Sequence, residues 1–153
     1  MAITLYVMRH GDAVMRAATD ALRPLSERGE HEVCRAAQAL AGLEPDYFWV
    51  SPYLRAQQTA RLVKEHSRIS TPVTTEPHIT PDDHPAAVVQ RLAELSEPKI
   101  ILMVSHNPLV SALVSLLVDG HYQGGYSMGT ATIACVDFDE VIGAGQGTLR
   151  WLS

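Results

Sequence analysis

The chain has 153 residues, of which 46% are hydrophobic and 19% charged, so it has the size of one ordinary domain with a buried core. Its net charge of −5 argues against nucleic acid or an anionic membrane as a partner, because proteins that bind these usually carry a broad basic face. Since no apolar stretch approaches the roughly 18 residues that span a bilayer, and the first residues lack a signal-peptide pattern, we expect a single domain over residues 1–153, located in the cytoplasm.

The first predicted element is a short apolar strand over residues 3–8, of the kind that is covered on both faces in a parallel sheet. It leads into a polar connection over residues 12–25, which is longer than most loops between a strand and a helix and is therefore a candidate for function. Ser26 then predicts a helix N-cap. Small and apolar residues at helical spacing indicate an amphipathic helix that ends near Gly42.

A second strand is predicted over residues 46–50, where aromatic and β-branched residues are concentrated. Ser51 and Pro52 follow it directly, as a predicted N-cap and first helical residue. Four prolines then interrupt residues 69–85, where we expect loops and one short edge strand at 73–75.

Helical spacing resumes over residues 84–95, and the clearest buried strand of the chain follows at residues 99–105. Asn107 and Pro108 repeat the pattern of an N-cap followed by a first helical proline. The last two predicted strands cover residues 130–138 and 149–152.

The alternation of strands and helices, with two strands at the end that can pair antiparallel, predicts one three-layer α/β domain. Its central sheet is expected to be mostly parallel and flanked by helices. Ligands of such sheets bind beyond the carboxyl ends of the strands. Four basic side chains fall at that edge, although they are far apart in sequence: Arg9 and His10 after the first strand, Arg55 after the second, and His106 after the strand that ends at Ser105.

Two guanidinium groups and two imidazoles at one edge predict a pocket for a tetrahedral dianion, because arginine presents fixed N–H pairs that match phosphate oxygens. Arg55 would oppose the dipole of its helix, which favours a role in binding an anion. A neutral His10 can attack phosphorus and be released again by hydrolysis, without a metal or a cofactor. Ser51 and Asn107 are further candidates for phosphate contacts, although capping alone explains both.

Three motifs in register carry a family resemblance: residues 5–13 (LYVMRHGDA), 51–60 (SPYLRAQQTA) and 104–107 (VSHN). Together they resemble the histidine phosphatase superfamily, which includes the phosphoglycerate mutases. The short chain, the RHGDA start and the RPLS sequence at residues 23–26 are most similar to the SixA-type phosphohistidine phosphatases. The resemblance extends from about residue 3 to the final strand and implies a phosphoglycerate mutase-like fold.

The resemblance also implies roles for individual residues. His10 would be the nucleophile that becomes phosphorylated, and Arg9, Arg55 and His106 would bind the phosphoryl group. Arg23 would lie at the rim of the pocket, where it could contact the phosphate or a phosphorylated partner.

The superfamily's proton donor has no clear counterpart here. Many members that cleave alkyl phosphates place an acid before the third helix, where this chain offers Asp82 and Asp83 without a secure alignment. An alkoxide needs protonation to leave, whereas imidazole leaves phosphohistidine readily. A missing acid therefore favours phosphohistidine as the substrate, carried by a histidine phosphotransfer or phosphocarrier protein, or a small phosphoramidate. An acid that reaches the pocket would instead favour a broader phosphomonoesterase.

Two hypotheses from other functional classes stay open at this point. A metal-dependent hydrolase could draw Zn²⁺ or Mn²⁺ ligands from the carboxylates and imidazoles of the chain, although Arg9 and Arg55 would then stand beside a cation. The second hypothesis is a non-catalytic phosphate-binding signalling module on the same fold. The candidate metal ligands are His10, Asp12, Asp82, Asp83, His84 and His106.

Overall fold

Six strands form one mixed sheet in the computed structural model, which describes residues 2–153. The strand order is β3-β2-β4-β1-β5-β6. The first four strands in that order are parallel, and β5 and β6 are antiparallel to their neighbours. The strands are β1 (Ile3–Arg9), β2 (Tyr47–Val50), β3 (Thr74–Thr75), β4 (Ile100–Ser105), β5 (Ile133–Phe138) and β6 (Thr148–Leu152).

Helices cover both faces of this sheet, as the predicted three-layer α/β class requires. They are α1 (Glu27–Ala36), α2 (Leu54–Ser67), α3 (Pro85–Ala93) and α4 (Leu109–Asp119), with short 3-10 turns at Asp20–Leu22 and Ala37–Leu40. No helix within residues 2–153 is long and apolar enough to cross a membrane. The mixed sheet with helices on both faces confirms the predicted fold class.

Alternating residues of β4 divide the core into two layers. Ile101 and Met103 pack in a cluster with residues of α3 and α4, whereas Leu102 and Val104 pack in a second cluster with residues of α1 and α2. All four side chains are fully buried. A central strand of this kind is apolar throughout because both of its faces are covered.

A side chain caps the N-terminus of α1 and of α3, but not that of α2. Ser26 caps α1, since its hydroxyl accepts a hydrogen bond from the Gly29 amide, and His84 caps α3 in the same way. The prediction that Ser51 caps α2 with Pro52 as its first residue is wrong. The helix begins at Leu54, and its N-cap residue makes no side-chain hydrogen bond.

The start of α4 also differs from the prediction. The helix begins at Leu109, so that Pro108 precedes the first helical residue. Asn107 still satisfies the first turn, because its Oδ1 accepts hydrogen bonds from the amide and the hydroxyl of Ser111.

Candidate active site

His10 lies just beyond the carboxyl end of β1, and only 6% of it is exposed. Its Nδ1 is 2.7 Å from the Gly11 carbonyl oxygen, which can only accept, so Nδ1 carries the proton and Nε2 keeps its lone pair. Burial lowers the pKa of His10 to about 4. The Gly11 carbonyl opposes this shift, and the charges of Arg55 and Arg9 reinforce it. The imidazole is therefore neutral at pH 7, with Nε2 able to act as a nucleophile.

The turn after β1 is held by the helix that carries Arg55. The Gly11 amide donates to the Thr59 hydroxyl over 3.1 Å, and that hydroxyl donates to the Arg55 carbonyl oxygen one turn earlier in α2. On the other side, a Cβ at Gly29 would collide with the Asp12 carbonyl group. Glycine at position 29 thus lets α1 pack directly against the turn that orients His10.

Arg55 is in the first turn of α2 and is 3% exposed. Its Nε donates to His10 Nε2 over 3.3 Å, while Nη1 and Nη2 donate to the carbonyl and carboxylate oxygens of Asp20 at 2.8 and 3.2 Å. The guanidinium carbon lies 4.9 Å from the centre of the Tyr53 ring, which adds a cation–π contact. These contacts hold a fixed positive charge directly beside the nucleophile.

Asp20 binds two arginines at once. Besides Arg55, its carboxylate accepts a hydrogen bond from Arg23 Nε over 2.8 Å. Burial opposes ionisation of Asp20, but the two guanidinium groups outweigh it and lower the pKa of the carboxyl group. Because more than half of the Asp20 side chain is exposed, the carboxylate forms a rim over the arginines. It also borders a surface cavity of about 480 Å³ formed by residues 15–20 and Arg23.

His106 follows β4, and its ring lies with its centre 5.0 Å from that of His10 and 4.8 Å from that of Tyr53. The Ser51 hydroxyl is 2.6 Å from His106 Nε2. Burial lowers the pKa of His106 to about 2, with further lowering by His10 and Arg55. This second imidazole is also neutral.

Arg9 and Asn107 both donate to the Met128 carbonyl oxygen, at 3.1 and 2.8 Å. Burial lowers the pKa of Arg9, as does the nearby charge of Arg55. Within residues 2–153, three buried side-chain nitrogens lack a hydrogen-bond partner, and two of them, Arg9 Nε and His106 Nδ1, belong to this site. Buried polar atoms are rarely left unpaired, so each of these two nitrogens has the capacity to bind a further polar partner.

The structure thus brings His10, Arg55 and His106 into contact, with Arg9 close enough to influence their pKa values. Arg23 is at the rim, bound to Asp20 and to the Val14 carbonyl oxygen, and its charge also lowers the pKa of His10.

The remaining candidates lie in other contacts. Asp83 accepts hydrogen bonds from the amide and the hydroxyl of Thr80, and Asp82 is exposed. Asp12 accepts from the Ser26 hydroxyl. Within residues 2–153, no three His, Cys, Asp or Glu side chains converge as a set of metal ligands. Of the candidate metal ligands, His10 and His106 lie together, but no third His, Cys, Asp or Glu among the described residues joins them.

Comparison with known proteins decides the family. The model of the histidine phosphatase superfamily, branch 1, matches residues 5–80. The phosphohistidine phosphatase SixA of Escherichia coli strain K12 is 35% identical over 151 residues, which cover 96% of this chain and 91% of that protein. The chain belongs to the histidine phosphatase superfamily.

Further matches within the superfamily agree. A SixA homologue of Haemophilus influenzae is 32% identical over 126 residues, which cover 75% of this chain and 77% of that protein. A structure of the protein histidine phosphatase SixA complexed with tungstate superimposes with a TM-score of 0.87 and 34% identity, covering 98% of this chain and 96% of that chain. The predicted resemblance to the SixA-type members is confirmed.

Superfamily motifs alone did not reveal three parts of the site. Asp20 is an ordinary loop acid in sequence, and only its spacing of three residues from Arg23 hints at an ion pair. The carbonyl group of Met128 has no sequence signal, because any residue supplies one. Ser51 carries a strong capping signal that concealed its hydrogen bond with His106.

Proposed function

We propose that residues 1–153 form one histidine phosphatase domain that hydrolyses phosphohistidine through a covalent phosphoryl intermediate on His10. The substrate is a phosphorylated histidine phosphotransfer or phosphocarrier protein, or a small phosphoramidate, and we place the reaction in the cytoplasm. One observation carries the proposal: the lone pair of a neutral, buried His10 Nε2 lies beside Arg55, in a site where Arg9 and His106 each have a buried nitrogen without a partner among residues 2–153.

In the first step, the lone pair of His10 Nε2 forms a bond to phosphorus while the bond from phosphorus to the substrate nitrogen breaks. Arg9 and Arg55 neutralise the negative charge on the equatorial oxygens of the transition state. The departing imidazole keeps the bonding electron pair and takes a proton from solvent. In the second step, water attacks phosphorus, the bond to His10 Nε2 breaks with its electron pair returning to that nitrogen, and phosphate leaves with the protons of the water. Two fixed guanidinium groups supply the positive charge for both steps.

Charge at the pocket supports nitrogen rather than oxygen as the leaving atom. Asp20 is the carboxylic acid in contact with the arginines, and its lowered pKa keeps it ionised at neutral pH. An ionised carboxylate cannot donate the proton that an alkoxide needs, whereas imidazole leaves without one from the protein.

Turnover of three substrates tests the leaving-group proposal: a phosphohistidine protein, a small phosphoramidate and an alkyl phosphate. We expect kcat/KM for the two substrates with a phosphorus–nitrogen bond to exceed that for the alkyl phosphate by about a hundredfold or more, the usual contribution of an acid catalyst. The same rates in the presence of EDTA serve as the control.

Equal turnover of the alkyl phosphate would contradict the proposal and indicate a broader phosphomonoesterase. Loss of activity in EDTA with recovery on adding Zn²⁺ or Mn²⁺ would support the metal-dependent reading instead. A protein that binds phosphate without turning over any substrate would be a signalling module.

Asp20 competes with a bound oxyanion for the same arginine donors. We expect Asp20→Asn to tighten the binding of tungstate by about tenfold, because the amide no longer repels the anion or neutralises Arg55 and Arg23. Isothermal titration calorimetry measures this affinity directly. Asp139→Asn, which removes an equal charge at an exposed position, is the matched control. Unchanged or weaker tungstate binding in Asp20→Asn would show that Asp20 positions Arg55 and does not compete with the ligand.

A further inference from the structure

Ser51 lies between β2 and α2 and is fully buried. Its hydroxyl oxygen has two neighbours. The Tyr53 amide donates a hydrogen bond to it over 3.3 Å, and His106 Nε2 lies 2.6 Å away. The direction of the second hydrogen bond determines which nitrogen of His106 carries the proton.

Of the two possible directions of the hydrogen bond between Ser51 and His106, one leaves no buried donor or acceptor unpaired. If Nε2 carried a proton, it and the Tyr53 amide would both donate to the Ser51 oxygen. The hydroxyl proton would then have no acceptor among residues 2–153, in a place without access to water. Leaving a buried donor unpaired is unfavourable. If the hydroxyl donates to Nε2, every polar atom of Ser51 is satisfied, and the proton of the neutral imidazole is on Nδ1.

His106 Nδ1 is the nitrogen that this assignment affects. It is buried and has no partner within the described residues, and the two rings of His106 and His10 lie 5.0 Å apart. An N–H at Nδ1 is a donor for a phosphoryl oxygen, whereas a lone pair there would repel it. The tautomer therefore decides whether the second imidazole helps or opposes binding of the anion.

We propose that Ser51 is a positioning residue, which holds His106 in the Nδ1–H tautomer so that an uncharged imidazole donates to the phosphoryl group. This inference rests on the proposed function of the site. The Gly11 carbonyl imposes the same tautomer on His10 with the opposite result, since there Nε2 keeps the lone pair that accepts from Arg55 and attacks phosphorus. Two imidazoles in one tautomer thus serve as nucleophile and as donor.

Long-range ¹H–¹⁵N NMR of the uniformly labelled, ligand-free protein tests the assignment. Nε2 couples to both ring protons and Nδ1 chiefly to one, so the spectrum identifies the protonated nitrogen of each ring. The His106 signals are those absent from His106→Asn. We expect Nδ1 to carry the proton in the unmodified protein, and we expect Ser51→Ala to move it wholly or partly to Nε2. Ser67→Ala removes another buried hydroxyl, which donates to Ala37, and should leave the spectrum unchanged.

Activity provides the second readout. We expect kcat to fall by about tenfold in Ser51→Ala, as for one lost buried hydrogen bond, and to recover in Ser51→Thr, which keeps the hydroxyl. A proton on Nε2 of His106 in the unmodified protein, or one that stays on Nδ1 in Ser51→Ala, would overturn the inference. If the threonine variant does not fold, the alanine spectrum still decides. Because the spectrum is independent of turnover, this failure differs from absence of a phosphoryl group on His10, which would refute the proposed function.

Discussion

Replacing His10 with alanine is expected to abolish turnover of phosphohistidine while the protein stays folded. The variant loses the nitrogen that attacks phosphorus, and no neighbouring side chain can replace it, because His106 Nε2 is engaged with Ser51. The backbone contacts of residue 10, with the Ser105 carbonyl oxygen and the Ala131 amide, do not depend on the ring. Rapid quenching after brief exposure to substrate should leave an acid-labile phosphate on His10 of the unmodified protein and none on the variant.

His31→Ala is the matched control, since His31 is exposed on α1 and should retain both activity and label. A phosphoryl group found on another histidine would refute the assignment of the nucleophile.

His10→Ala should also change how strongly acid destabilises the folded protein. The pKa of His10 is lowered from 6.5 to about 4 in the folded state, so the unfolded chain binds more protons between these values. Stability therefore falls as the pH drops through that window, and removing the ring should make the fall less steep.

The apolar pattern of the strands made the fold predictable. Three strands of the parallel part, β1, β2 and β4, are short and largely apolar. The rule that ligands bind at the carboxyl edge then brings His10, Arg55 and His106 together across long stretches of chain. Arg55 carried a signal of its own, because a cation in the first turn of a helix is unfavourable unless an anion compensates it.

Residues whose role depends on a distant partner were not predictable. Ser26 caps its helix as expected, since capping is decided within a few residues. At Ser51 the same rule fails, because a contact with a residue 55 positions away satisfies the hydroxyl. Asp20 reaches an arginine 35 positions away through a long loop whose path no local pattern determines. Local rules thus predicted the elements, and long-range hydrogen bonds completed the site.

Replacing Arg55 with alanine is expected to lower kcat/KM by about a hundredfold or more, the usual cost of removing one preorganised donor from a charge-stabilising site. The guanidinium group is beside His10 Nε2, where it can neutralise the negative charge on the equatorial oxygens of the phosphoryl group under attack. Expressed as free energies, the loss of transition-state stabilisation should exceed the decrease in the free energy of unfolding. The partner left behind, Asp20, is more than half exposed and can be hydrated, so no uncompensated charge is buried. Steady-state kinetics and denaturant unfolding of the same preparation separate the two effects.

Two further variants show whether charge or geometry matters at position 55. Arg55→Lys keeps the charge but loses the planar pair of donors, so we expect it to remain at least about tenfold below the unmodified protein. Arg61→Ala removes an exposed arginine from the same helix and should leave the rate unchanged. A near-normal rate in Arg55→Ala would show that the buried guanidinium only packs against Tyr53 and pairs with Asp20. Full activity in the lysine variant would show that a point charge beside His10 is sufficient.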